Sequence, residues 1–177
     1  MTELIETPES LKHQIDCVMG RTPCELRLQN VRLIDVFSGE IIDGADIFID
    51  SGKIIDTGRR CKAKAIDTVD LNGALVAPGF IDAHVHIESG MLTPIQFARL
   101  IAPYGTTTII ADPHEIANVA GIAGIRFMMA EAKKAEITVR FMLPSCVPAT
   151  PFETSGAMLS SEDLTDLMAK DEVLGLA

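Results

Sequence analysis

Two histidines at alternating positions offer the clearest chemistry in the sequence. His84 and His86 lie in the run from Ala77 to Glu88 and are two of the chain's four histidines. On an extended strand, residues i and i+2 point to the same face, so both imidazoles can reach one metal ion. The alternative is a merely packed or solvated pair, but buried imidazoles beside Asp82 would carry polar atoms that are costly to leave unpaired. The spacing therefore favours His84 and His86 as metal ligands.

A second polar group stands in Asp112-Pro113-His114-Glu115, directly after the next predicted strand. Helix capping explains part of it, because Asp112 can cap the following helix, Pro113 suits its first position and Glu115 completes a capping-box-like spacing. Capping does not explain His114, whose ring would lie near the positive helix end, where a neutral imidazole is favoured. Capping alone therefore explains Asp112 and Glu115, whereas His114 is a candidate functional residue.

The loop at residues 144–156 follows the third predicted strand and contains Cys146 and Glu153. Long loops at this end of a parallel sheet are often functional. The thiol of Cys146 is a candidate nucleophile, but the sequence shows no Cys–His pairing that would activate it. We expect Cys146 and Glu153 to line a substrate site instead.

The first 77 residues predict a helix followed by a small β-rich domain. The helix begins at Thr7-Pro8 and ends by Gly20, with His13 off its apolar stripe and therefore expected in solvent. Short β-prone runs separated by turn residues then lie at 26–28, 31–34, 47–49, 54–55 and 66–69. The pattern predicts a helical segment over 1–24, a β-rich domain over 25–77 and a third part over 78–177.

Strands and helices alternate after residue 78. Strand candidates lie at 80–86, 106–111, 137–143 and 173–176, and helical segments at 94–102, 114–134 and 162–169. This order predicts the α/β class with a parallel sheet, in which chemistry gathers at the carboxyl ends of the strands. His84 and His86 fall at such an end.

The composition of the chain indicates which classes of binding partner it favours. The chain has 47% hydrophobic residues and a formal charge of -10, which suits a packed core and argues against nucleic-acid or anionic membrane surfaces. No apolar run approaches the roughly 20 residues of a membrane span, and the polar start does not look like a secretory signal. We expect a cytoplasmic location and a small-molecule partner.

The four cysteines predict neither a structural zinc knot nor a redox pair. Cys17, Cys24, Cys61 and Cys146 show no Cys-x-x-Cys spacing, so reduced thiols are expected. His86-Ile87-Glu88 matches half of the motif of the zinc deaminases that act on flipped bases, but their Pro-Cys-x-x-Cys half is absent. That deaminase fold is rejected.

The run from Pro78 to His86 resembles the metal-binding first strand of the amidohydrolase superfamily, preceded by its usual small β domain. The segments 86–89, 105–108, 112–119 and 144–149 are together closely similar to the adenine deaminases of bacteria and archaea. This resemblance implies a (β/α) TIM-like barrel with a binuclear metal centre. The metal that it implies first is manganese, and Fe²⁺ and Zn²⁺ are the alternatives. It also implies hydrolysis of adenine to hypoxanthine and ammonia, with His84 and His86 as first-strand ligands. Asp112, His114 and Glu115 match a motif of this family at the rim of the barrel, and the resemblance makes them candidate catalytic residues.

The resemblance also predicts an incomplete barrel. Residues 79–177 hold about four predicted strands, whereas a complete barrel takes roughly 250 residues. The family's metal-bridging glutamate, later histidines and terminal aspartate would lie beyond residue 177. We therefore expect an amino-terminal part of such an enzyme that is inactive by itself and prone to assemble through its open strand edge, for example as a homo-oligomer. Another amidohydrolase, such as a cyclic-amide hydrolase or a deacetylase, and a non-catalytic remnant stay open as alternatives.

Overall fold

The computed structural model describes residues 7–58 and 61–177. By its contacts the chain divides into two compact units, Met1–Pro78 and Gly79–Ala177. The division of the first unit into a helical segment over 1–24 and a β-rich domain over 25–77 stays a prediction. Among the described residues, no helix combines the length and the apolar character that crossing a membrane requires.

The first unit opens with the predicted helix. Helix α1 spans Pro8–Val18, with Thr7 as its N-cap. The Thr7 hydroxyl accepts a hydrogen bond from the Ser10 backbone N–H at 3.1 Å, and the Thr7 N–H donates to the Ser10 hydroxyl at 3.1 Å. This reciprocal pair satisfies backbone groups that a helix start leaves open. The expectation that His13 is simply solvated is incomplete, because its side chain is 48% exposed but its ring reaches Asp50.

Five strands follow in the described part of the first unit. They are β1 (Cys24–Ile34), β2 (Ile41–Asp50), β3 (Lys53–Gly58), β4 (Ala65–Asp70) and β5 (Leu75–Val76). The sheet order is β3-β2-β1-β4, with β5 also beside β1. The runs predicted at 26–28 and 31–34 belong to the single strand β1, because an irregularity between Leu28 and Val31 interrupts their register without ending the pairing with β2. The unit's buried apolar side chains include Cys17, Cys24 and Phe48 in one cluster and Val31, Ala45 and Ile47 in another.

The second unit contains the predicted parallel sheet. Its strands are β6 (Phe80–Val85), β7 (Thr106–Ala111), β8 (Thr138–Leu143) and β9 (Val173–Leu176), in the order β6-β7-β8-β9. All three strand pairs are parallel. Side chains from β7, β8 and the helices form one buried core that includes Ile109, Ile125 and Phe141. The predicted α/β class is confirmed.

Helices connect the strands of the second unit. They are α2 (Pro94–Ile101), α3 (His114–Ala132) and α4 (Ser161–Met168), with short 3-10 turns at Ile87–Gly90 and Ala102–Tyr104. Helix α3 is kinked at Gly121, whose φ of 59° and ψ of -144° are not helical. A Cβ at Gly121 would also lie 3.2 Å from the Cβ of Ala157, so a side chain is disfavoured by both conformation and space.

Candidate metal centre

The rings of His84 and His86 converge at the carboxyl end of β6. Their Nε2 atoms are 3.2 Å apart, and the ring planes are inclined at 82°. Two imidazole nitrogens bound to one ion at the usual 2.0–2.1 Å in tetrahedral geometry lie about 3.3 Å from each other. The observed separation therefore fits two ligands of a single metal ion. This arrangement follows from the i, i+2 spacing on an extended backbone.

A backbone carbonyl orients the ring of His86. Its Nδ1 lies 2.8 Å from the carbonyl oxygen of Asp112, at the end of the neighbouring strand β7. Because a carbonyl only accepts, the network assigns the proton to Nδ1 and leaves a lone pair on Nε2. Histidines that bind metals in proteins are commonly held in this way by an acceptor at the other ring nitrogen. The ring is thus prepared for ligation through Nε2.

Asp112 brings a buried negative charge to the same place. The residue is 4% exposed, and none of the donors in the described part of the chain reaches its Oδ1 atom. Asp112, His84 and His86 each offer one ligand atom, and these three atoms lie within 4.8 Å of one another. A buried carboxylate oxygen without a partner is costly unless a cation compensates it. The group therefore fits a divalent cation by both its donor types and its uncompensated charge.

The expected capping role of Asp112 and Glu115 is wrong. The N-cap position of α3 is Pro113, and no side chain caps it. The carboxylate of Glu115 turns instead to the 3-10 turn after β6, where the Ser89 hydroxyl donates to its Oε1 at 2.6 Å. Its Oε2 lies 3.2 Å from Nδ1 of His86. Glu115 therefore contacts a metal-ligand candidate rather than its own helix start, because the ends of β6 and β7 lie side by side.

His114 lies between Asp112 and Cys146. Its Nδ1 is 3.5 Å from Oδ2 of Asp112, and its Nε2 is 3.0 Å from the carbonyl oxygen of Cys146. The Cys146 Sγ lies 3.8 Å from the same Nε2, a Cys–His contact that was not evident in the sequence. The pairing was hidden because 32 residues separate the two, and only the adjacency of β7 and β8 joins them. Since Nε2 faces a carbonyl acceptor, it is placed to donate a proton there rather than to take one from the thiol.

Sequence reasoning missed Glu88. Its Oε1 accepts a hydrogen bond from the Ile116 N–H at 3.2 Å, while its buried Oε2 has no partner among the described residues. Burial raises the pKa of the Glu88 carboxyl above its ordinary value. Burial acts in the same direction on Glu115, but the hydrogen bond from Ser89 and the nearby His86 ring outweigh it, and the pKa of Glu115 is lowered. The signals in the sequence were its position two residues after His86 and its place in the segment 86–89 that carries the family resemblance.

Among residues 61–177, Glu153 has no hydrogen bond or ion pair with this group. It is exposed, and its carboxylate accepts a hydrogen bond from the Thr150 hydroxyl at 3.3 Å. Its predicted role in binding substrate stays a prediction. The structure thus brings together His84, His86, Asp112, His114, Glu115 and Cys146, and leaves Glu153 outside.

The second unit matches a known class of protein. Residues 75–175 match the amidohydrolase family, and the chain belongs to that family. The chain is 49% identical over 169 residues to a protein of Bacillus pumilus named adenine deaminase, covering 96% of this chain and 29% of the relative. It is 52% identical over 166 residues to an adenine deaminase of Clostridium acetobutylicum, covering 94% of this chain and 28% of that protein. The chain therefore spans less than a third of the length of these curated relatives.

Solved structures share the fold. Atrazine chlorohydrolase from Arthrobacter aurescens, solved with zinc, superposes with a TM-score of 0.60 at 16% identity, over 86% of this chain and 46% of that one. A dihydroorotase superposes with a TM-score of 0.53 at 19% identity, over 85% of this chain and 41% of its own. At these identities the likeness concerns the fold alone.

Proposed function

We propose that this chain supplies the first metal-binding strand of an enzyme that hydrolyses adenine to hypoxanthine and ammonia. The observation that carries the proposal is the convergence of the His84 and His86 Nε2 atoms at 3.2 Å, with His86 oriented by the Asp112 carbonyl. The two adenine deaminases that match at 49% and 52% identity support adenine as the substrate. A small purine partner also suits a formal charge of -10, because that charge disfavours binding to nucleic acid. We also propose a cytoplasmic location.

The proposed metal ligands are His84, His86 and Asp112. Imidazole and carboxylate donors serve several first-row ions, and we propose manganese as the native metal within a binuclear centre. A divalent ion held there would supply Lewis acidity, which lowers the pKa of water enough to make hydroxide available near neutral pH. Removing the buried charge of Asp112 should therefore weaken metal binding.

The surrounding residues would position ligands and move protons. Glu115 accepts from Ser89 and lies 3.2 Å from Nδ1 of His86, so we assign it to holding that ring. The side chain of His114 is 25% exposed and borders Asp112. We therefore propose His114 Nδ1 as the atom that exchanges a proton with the departing amine or the ring nitrogen of adenine. Cys146, which is exposed beside it, would line the purine pocket.

A binuclear metal centre needs more ligands than the three candidates His84, His86 and Asp112. We propose that the remaining ligands come from another segment. Within the stretches 7–58 and 61–177, no second group of three or more possible ligands with atoms within 4.8 Å of one another lies at this end of the parallel sheet. We therefore propose that the 177-residue chain does not turn over adenine by itself. Ammonia release by the purified chain with Mn²⁺ and adenine would contradict this point.

A chimaera tests the proposed function. In the Bacillus pumilus adenine deaminase, the matched 29% is replaced by this chain, and the purified product is assayed with Mn²⁺ for hypoxanthine and ammonia. We expect adenine turnover that His86→Ala abolishes and that Glu162→Ala, an exposed change on α4, leaves intact. A folded, metal-loaded chimaera that releases no ammonia from adenine contradicts the proposal. Hydrolysis of a cyclic amide instead would favour the other amidohydrolase function.

A further inference from the structure

A second group of metal-binding side chains lies in the first unit, away from the centre described above. His13 and Cys17 stand four residues apart on α1, a spacing that places them on one helix face, and Asp50 ends β2. The His13 Nε2 lies 3.3 Å from the Asp50 Oδ2 and 3.6 Å from the Cys17 Sγ. The Cys17 Sγ lies 3.9 Å from the Asp50 Oδ1. An imidazole, a thiol and a carboxylate thus face one another across the contact of α1 with the sheet.

These separations fit the ligand shell of one ion. In a tetrahedral zinc site with Zn–N and Zn–O near 2.0–2.1 Å and Zn–S near 2.3 Å, two N/O ligands lie about 3.3 Å apart. In the same geometry sulfur lies about 3.6 Å from a nitrogen or oxygen ligand. The 3.3 Å from His13 to the Asp50 Oδ2 and the 3.6 Å from His13 to Cys17 agree with these values, whereas the 3.9 Å from Cys17 is measured to the other carboxylate oxygen, Oδ1. One ligand atom from each of the three residues lies within 4.8 Å of the other two, so the group can converge on a common ion.

Burial and charge favour a cation at this place. Cys17 is 0% and Asp50 is 2% exposed. The Asp50 carboxylate accepts hydrogen bonds from the Glu25 N–H at 3.2 Å and the Ser51 hydroxyl at 3.0 Å, which are neutral donors. Its ion-pair partner in the described part of the chain is the imidazole of His13. A buried carboxylate held mainly by neutral groups gains from a nearby cation.

The open side of the group lies at His13. Its side chain is 48% exposed, whereas Cys17 and Asp50 are closed off by the core. An ion could therefore enter past the imidazole, and water could complete a fourth position, as in sites with three protein ligands. The mixture of thiol, imidazole and carboxylate favours zinc over manganese or magnesium.

We propose that His13, Cys17 and Asp50 form a second divalent-metal site of zinc type that fastens α1 to β2. On binding, the Cys17 S–H bond breaks, a sulfur–metal bond forms and the proton passes to solvent. Sequence reasoning missed the site because it searched for paired cysteines, whereas Asp50 lies 33 residues after Cys17 and joins the group only through the packing of α1 on the sheet. The site is independent of the proposed deamination chemistry.

Cobalt is the probe, because a thiolate bound to Co²⁺ gives a ligand-to-metal charge-transfer absorption that nitrogen and oxygen ligands do not. The full chain carrying His84→Ala, which disables the other site, is titrated with Co²⁺ and then with Zn²⁺. We expect the charge-transfer band at one equivalent and its loss when Zn²⁺ displaces the cobalt. Cys17→Ser should abolish the band, whereas Cys61→Ser and Cys146→Ser, as matched controls, should keep it.

His13→Gln provides a second test that does not disturb the core. Its half-exposed side chain allows the variant to fold, and we expect its Co²⁺ affinity to fall by at least about tenfold, since one of three ligands is lost. Circular dichroism confirms folding in each case. Absence of the band from the folded parent, its persistence in Cys17→Ser, or unchanged affinity in His13→Gln would overturn the proposal. If Cys17→Ser does not fold, the His13→Gln result decides.

Discussion

The two buried aspartates in the described part of the chain should respond in opposite directions to the same substitution. Asp50 and Asp112 are 2% and 4% exposed. The carboxylate of Asp50 is hydrogen-bonded at both oxygens, whereas none of the described donors reaches Oδ1 of Asp112. Replacing either by asparagine keeps the shape of the side chain and removes its charge. The comparison therefore separates a carboxylate whose two oxygens are hydrogen-bonded in the metal-free chain from one that has an unsatisfied oxygen there.

The magnitudes follow from these contacts. Asp50→Asn weakens charge-assisted hydrogen bonds from Glu25 and Ser51, so the free energy of unfolding should fall by about 1–2 kcal/mol. Asp112→Asn removes a buried charge with an unsatisfied oxygen. The free energy of unfolding of the metal-free chain should therefore rise by about 1–3 kcal/mol. Bound metal should favour the parent chain over the Asp112→Asn variant. Mn²⁺ at 100 times its Kd should stabilise the parent chain by about 2.7 kcal/mol and the Asp112→Asn variant by much less.

Urea unfolding followed by circular dichroism measures both effects, first with a chelator and then with Mn²⁺. Mn²⁺ is the suitable ion because a thiolate-containing site such as that of Cys17 binds it weakly. The reasoning is refuted if Asp112→Asn destabilises the metal-free chain as much as Asp50→Asn does. It is equally refuted if Mn²⁺ stabilises Asp112→Asn as much as the parent.

Three further predictions concern α4 and its surroundings. Leu167→Ala should lower the free energy of unfolding by about 2–5 kcal/mol in urea titrations, because this side chain is 1% exposed in the core, whereas Leu174→Ala, at a half-exposed position, should cost far less. Ser160→Ala should cost about 1 kcal/mol in the same assay, because the Ser160 hydroxyl accepts from the Asp163 N–H and caps the helix; Ser161→Ala is the matched control. Hydrogen bonds from Ser160 lower the pKa of Asp163, so its stabilisation is present above its unfolded pKa and is lost as pH falls through the folded one. Thermal melts should therefore show a larger loss for the parent than for Asp163→Asn on going from pH 7 to about pH 3.

The sequence predicted the second unit well because its signals are local. Each predicted strand lies within one residue of an observed one, as for 137–143 against Thr138–Leu143, since apolar runs between turn residues mark buried parallel strands. The strand prediction for the first unit was less complete. The strand Ile41–Asp50 was recognised only at 47–49, because Asp43, Gly44 and Asp46 break its apolar pattern although pairing with β1 holds the backbone extended.

The site was predictable where one strand carries it and unpredictable where strands meet. His84 and His86 follow from period-two geometry alone. The contacts of Asp112, Glu115 and Cys146 depend on which strand ends lie side by side, so local rules assigned Asp112 and Glu115 to capping and found no partner for Cys146. His13 was placed in solvent for the same reason, since Asp50 lies on a distant strand.

Anomalous diffraction from crystals of the full chain soaked in Zn²⁺ tests the central claim most directly. We expect a metal peak within about 2.1 Å of the Nε2 atoms of both His84 and His86, with an Asp112 oxygen turned toward it. Well-diffracting, zinc-soaked crystals in which both imidazoles are ordered and no metal lies between them would contradict the account.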